Sequence, residues 1–225
     1  MKILCLGDSL GLPREMCPYE DTWYYKLAKT YPQHDFIADF QRGMLINEAL
    51  LRYDLYYRFY KADIVIIQTG ICDCSPRFIN DKKIYWKILI EIIKRLRMTN
   101  VFWATVKKGN RKADCVYTSA QDFALLYNNL IKKMIEEGVK HVMVIKIGHG
   151  SEAVVSRSKH FNSNVERYNK IIDNIQDYYP DRVFSIEPLS KVEEDCFIDG
   201  YHCSPKGMDA VYREINRVIG RWVPA

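Results

Sequence analysis

Three short segments carry side chains able to do chemistry together: Gly7-Asp8-Ser9-Leu10, Gly70-Ile71-Cys72-Asp73 and Asp199-Gly200-Tyr201-His202. A serine hydroxyl is a poor nucleophile until a base within hydrogen-bond reach takes its proton, and a carboxylate behind that base orients and charge-stabilises it. His202 can be that base for Ser9. Asp199, three positions earlier on one loop, can accept from the other imidazole nitrogen. Read alone, Gly-Asp-Ser is equally the sequence of a turn that merely caps a helix. The other histidines compete poorly for the role. His34 and His141 stand at strand starts, while His149 and His160 fall in a loop without a carboxylate partner in sequence, His149 being the next to test.

The elements that must position these segments follow from hydrophobic patterning. Residues 3–6 form a short apolar run ended by Gly7 and Asp8, a buried strand feeding a loop. Residues 35–40, 63–68, 141–147 and 183–186 read as further strands, of which 63–68 is a continuous β-branched run implying a sheet covered on both faces. Helices are predicted over 22–29, 45–60, 84–97, 119–137, 164–178 and 208–222. The 119–137 helix has a capping-box-like Ser119 and Asp122 at its start and Gly138 as its stop. Residues 100–106 read as another strand or as an irregular continuation of the preceding helix. In the 45–60 helix, Tyr53, Tyr56, Tyr57 and Tyr60 either pack their rings on the core or line a sugar-binding cleft. Alternating strands and helices predict an α/β chain with a mostly parallel sheet and helices on both sides. Ligand crevices in such sheets lie at the carboxyl ends of the strands, which is where all three segments fall.

Together the three segments resemble blocks I, III and V of the SGNH hydrolases, often called GDSL esterases. GDSL directly follows the first strand, and an aspartate stands three residues before a histidine just ahead of the terminal helix. The resemblance implies a single domain over residues 1–225, a three-layer α/β/α sandwich with a flavodoxin-like sheet of about five strands. It also implies a Ser9–His202–Asp199 triad and no cofactor. The family's oxyanion hole uses the N–H of the serine, the N–H of a block II glycine and a block III asparagine. Ser9 supplies the first, and Gly43 in Gln41-Arg42-Gly43 is assigned to the second. The pattern breaks at the third, where Cys72 replaces asparagine, and a thiol is only a weak donor. Arg42, Arg77 or Asn47 could compensate. Gly70 to Arg77 is similar to a branch of the family associated with bacterial surface-polysaccharide gene clusters. That likeness implies an ester on a carbohydrate, such as an O-acetyl group, as substrate. Asp8, Asp73, Arg42 and Arg77 are the candidate substrate contacts, although Asp8 and Asp73 could instead tie the loops together. Arg77 could equally sit in a surface ion pair after a tight turn. Transfer of the acyl group to a sugar hydroxyl, and sugar binding without turnover, are the competing readings.

Composition narrows the classes. At 48% hydrophobic and 27% charged residues the chain is an ordinary globular one. Its formal charge of +5 is spread along the sequence, with small clusters at Lys107, Lys108, Arg111 and Lys112 and at Lys132 and Lys133, so no nucleic-acid partner is expected and an acidic substrate is. Seven cysteines without repeated spacing do not form a disulfide framework, and the lone Cys72/Cys74 pair lacks a second pair to hold a metal. No window approaches the length of a membrane span, the first apolar run is too short for a secretory leader, and a cytoplasmic protein is expected.

Overall fold

The computed structural model describes residues 1–110, 112–190 and 194–223. Five strands, β1 (Lys2–Gly7), β2 (Asp35–Phe40), β3 (Ile64–Gln68), β4 (His141–Ile145) and β5 (Val183–Ile186), form one all-parallel sheet of order β2-β1-β3-β4-β5. Successive side chains of a strand point to opposite faces, and this alternation creates the layers. Ile3, Cys5, Ile64 and Ile66 face α1 (Trp23–Thr30) and α9 (Pro205–Ile219). Leu4, Leu6, Val65 and Ile67 face α2 (Ile46–Leu55), α6 (Ala120–Glu136) and α8 (Phe161–Tyr178). All five side chains of β3 are buried, Ile64 to Ile67 as their apolar run requires and Gln68 with its amide oxygen accepting from the Trp23 indole N–H at 2.8 Å.

Local chemistry sets the helix ends. Ser119 Oγ accepts from the Asp122 N–H at 3.1 Å, and Ser204 Oγ caps α9 from the Gly207 N–H with Pro205 at the first helical position. The remaining helices are α3 (Ile71–Cys74), α4 (Ile84–Arg95), α5 (Thr99–Asn110) and α7 (Glu152–Arg157).

Two expectations change. Residues 100–106 are not a strand but most of α5. Both edges of β3 are taken by β1 and β4, so an added strand has a place only at β2 or β5. The segment winds instead, burying Val106, with the Thr105 hydroxyl donating to the Val101 carbonyl. The 45–60 helix ends at Leu55 and continues as a 3-10 turn, Tyr57–Tyr60. Of its tyrosines, Tyr53 is buried, Tyr57 accepts from Arg52 and stacks on Tyr60, and Tyr56 and Tyr60 are exposed.

Candidate active site

A parallel sheet places every strand's carboxyl end at one edge, so loops far apart in sequence converge there. Ser9 follows β1, Gly43 follows β2, Cys72 stands in α3 after β3, and Asp199 and His202 follow β5. Ser9 Oγ lies 3.2 Å from His202 Nε2, and His202 Nδ1 lies 2.7 Å from Asp199 Oδ2. The carboxylate beside Nδ1 holds the proton there and leaves Nε2 bare toward the serine.

The Asp199 loop is tightly wound. The other carboxylate oxygen accepts the His202 backbone N–H at 3.0 Å, so one side chain fixes both the turn and the ring. Gly200 allows it, with φ at +100°. A Cβ there would meet Ser151 Oγ at 2.5 Å and Val154 Cγ2 at 2.6 Å. Gly200→Ala is therefore expected to cost about 1–3 kcal/mol of stability and to pull Asp199 and His202 out of register. Thermal unfolding checks the first effect; an unchanged melting temperature would contradict it.

Partial burial opposes ionisation of Asp199, but bonds from the His202 ring and backbone outweigh it and hold the carboxyl below its usual range. Burial lowers the His202 pKa, and Arg14 and Arg42 push the same way against the pull of Asp199.

Beside Ser9 opens a cleft of about 890 Å³ that Gly43, Cys72, Arg77 and Tyr201 also line. The backbone N–H groups of Ser9 and Gly43 donate to no other described residue. Gly43 takes up φ of +73°, a conformation that turns its peptide at little steric cost. Burial first, then the nearby Asp8 charge, pushes the Cys72 thiol up to about 12, so it remains an S–H group rather than a thiolate. Four cations, Arg77, Lys107, Lys108 and Arg157, line the cleft, and no acidic residue does among those described.

Two expected substrate contacts are corrected. Asp8 and Asp73 are fully buried and do not line the cleft. Asp8 accepts the Leu10 N–H at 2.9 Å, closing the serine turn, and burial raises its pKa to about 8. Asp73 accepts from the Ile46 N–H and the Thr118 hydroxyl, joining α3 to the start of α2, and burial raises it to about 6. These carboxylates build the loops from within. Arg42 is exposed and lies outside the lining, as does exposed Asn47. Arg77, by contrast, stands in the cleft with its guanidinium 4.1 Å above the Tyr117 ring.

None of the other histidines contacts Ser9 among the described residues. His34 contacts the Met1 amine, His141 stacks on Trp222, His149 faces Glu166 at 3.6 Å, and His160 precedes α8. Patterning missed Arg14, whose guanidinium donates to the Ser9 carbonyl at 3.2 Å, and Arg157, which reaches the Asp199 carbonyl at 3.4 Å. It also missed Tyr201, whose ring sits 4.2 Å from that of His202. Only Tyr201 carried a local signal, its place inside Asp-x-x-His.

No family model matches the sequence, and no curated protein matches it significantly. Solved structures do resemble the fold. A lipase/acylhydrolase from Enterococcus faecalis superposes with a TM-score of 0.66 at 16% identity, covering 99% of this chain and 97% of the other. The acetylxylan esterase Axe2 from Geobacillus stearothermophilus gives 0.64 at 15%, covering 100% and 96%. A GDSL-like lipase from Bacteroides thetaiotaomicron gives 0.63 at 10%, covering 99% and 89%. The five-stranded parallel sheet, with its helical layers and its loops gathered at one edge, is thus the fold of the GDSL-type, or SGNH, lipases and esterases.

Proposed function

We propose that the chain is a GDSL-type serine hydrolase that cleaves a short acyl ester, such as an O-acetyl group, from an acidic carbohydrate. The observation that carries this reading is the contact series from Ser9 Oγ through the His202 ring to Asp199 at the mouth of a cleft. In the proposed reaction His202 Nε2 takes the Ser9 proton as Oγ attacks the ester carbonyl. The tetrahedral oxyanion is met by the Ser9 and Gly43 N–H groups and the Cys72 thiol. Collapse expels the alcohol, which takes the proton from His202. Water, deprotonated by the same ring, then releases the acid from the acyl-enzyme.

The cationic lining supports a negatively charged alcohol portion. None of Arg77, Lys107, Lys108 and Arg157 forms an ion pair among the described residues, leaving their charge to act on the cleft. Acetylxylan esterases among the structural neighbours agree with an acetylated sugar.

The test is turnover of p-nitrophenyl acetate against longer-chain esters, with a serine-directed phosphonate and mass spectrometry to locate the adduct. Preference for acetate and an adduct on Ser9 are expected. No adduct and no turnover would sink the reading. Acyl transfer to an added sugar in place of release would convert it to an acyltransferase.

The pH dependence follows from His202, which works only when neutral. Burial lowers its pKa, so kcat/KM is expected to rise from acid pH with a midpoint below the ordinary histidine value of 6.5. A midpoint above 6.5 in the pH–rate profile would contradict this.

A further inference from the structure

The hairpin of α4 and α5 has no place in the proposed reaction beyond the two lysines it lends to the cleft. No side chain of the 12-residue α4 is buried. Its less exposed residues, Trp86, Ile90 and Ile93, recur on one line, and a second apolar face is left to solvent. Ile84, Tyr85, Ile88, Leu89, Ile92 and Leu96 share that second face at helical spacing. Ile84 is 71% exposed, Ile88 57%, Ile92 48% and Leu96 63%. A contiguous apolar face of this kind marks an interaction surface.

Charge identifies the partner. Residues 82–112 hold ten lysines and arginines against one acid, Glu91, whereas the whole chain carries only +5, so the remainder is net acidic. This basic stretch is local in the sequence, and Lys87, Lys94 and Arg95 lie on the same helix as the exposed apolar face. A second copy docked face to face would bring two such basic surfaces together, which opposes a dimer there. A nucleic acid would meet the cations and leave the isoleucines in water.

We infer that α4 is an interfacial helix that seats the protein on an anionic lipid surface, its isoleucines and Leu89 in the acyl boundary and its lysines and arginines at the headgroups. No helix of the described residues is long and apolar enough to cross a membrane, and α4 spans only about 18 Å, so the mode is docking in the surface plane. Lys107 and Lys108 of the same hairpin line the cleft, so docking brings the cleft beside the lipid headgroups. This inference does not depend on Ser9 being a nucleophile.

Co-sedimentation of the full chain with vesicles of phosphatidylcholine alone, and of equimolar phosphatidylcholine and phosphatidylglycerol, tests it. Binding to the anionic vesicles, at least about tenfold weaker on phosphatidylcholine and weakened by salt, is expected. Ile88→Ser/Ile92→Ser should lose about tenfold or more of this binding with unchanged thermal unfolding, because neither side chain is packed. Lys94→Glu/Arg95→Glu should lose binding comparably. No binding, or binding indifferent to lipid charge, would overturn the inference. Binding that survives Ile88→Ser/Ile92→Ser but not charge reversal would assign the surface to a polyanion such as nucleic acid. A dimer in sedimentation velocity that the isoleucine variant dissolves would assign it to a second copy.

Discussion

Ser9→Ala is expected to lower ester hydrolysis by about 10⁴- to 10⁶-fold while the protein remains folded. The hydroxyl faces the His202 Nε2 nitrogen at 3.2 Å, and the substitution removes nothing else. Ser9 is half-buried at a loop, so unfolding should move by no more than about 0.5 kcal/mol. Asp199→Asn should cost about 10⁴-fold by a different route, because an amide at Oδ2 no longer favours the proton on Nδ1. Single-turnover kinetics on p-nitrophenyl acetate check both. A Ser9→Ala protein keeping a tenth of the activity would exclude the serine as nucleophile, and Asp199→Asn at full rate would exclude the orienting carboxylate.

Cys72→Asn is expected to raise turnover by about 10²- to 10³-fold, the usual worth of one oxyanion donor. The thiol stands beside Ser9 and Gly43 in the cleft wall and is held protonated by burial, so it meets a developing oxyanion with only a weak S–H donor. A carboxamide of nearly the same reach supplies a strong one. The gain should appear in kcat rather than KM, since the oxyanion exists only in the transition state. A variant no faster than the parent would mean another donor already serves, and Arg77 in the same lining is then the residue to replace. Two inactive proteins would favour binding without turnover.

The strands and the Asp199–His202 pair were legible because their signals are local. A β-branched run such as residues 64–67 is buried wherever it goes, and Asp199 and His202 are close enough in sequence that one turn joins them. Asp8 and Asp73 were legible as important but not as buried. Whether a carboxylate beside a turn faces solvent or a backbone N–H depends on what packs over it, here the start of α2 and Thr118. Residues 100–106 show the same limit, since their strand-like composition met a sheet with no vacant inner edge.

The sequence by itself determined the five strands of the sheet, the parallel α/β class and the residue types of the proposed triad, all consequences of periodicity and short-range spacing. Tertiary structure alone decided the 3.2 Å approach of Ser9 to His202 across the sheet, the placing of Arg14 on the serine loop, the cationic cleft and the exposed face of α4. Each of these joins groups distant along the chain or depends on what a helix finds to pack against. Such contacts leave no local pattern to read, because their energies arise only once the sheet has brought its loops to one edge.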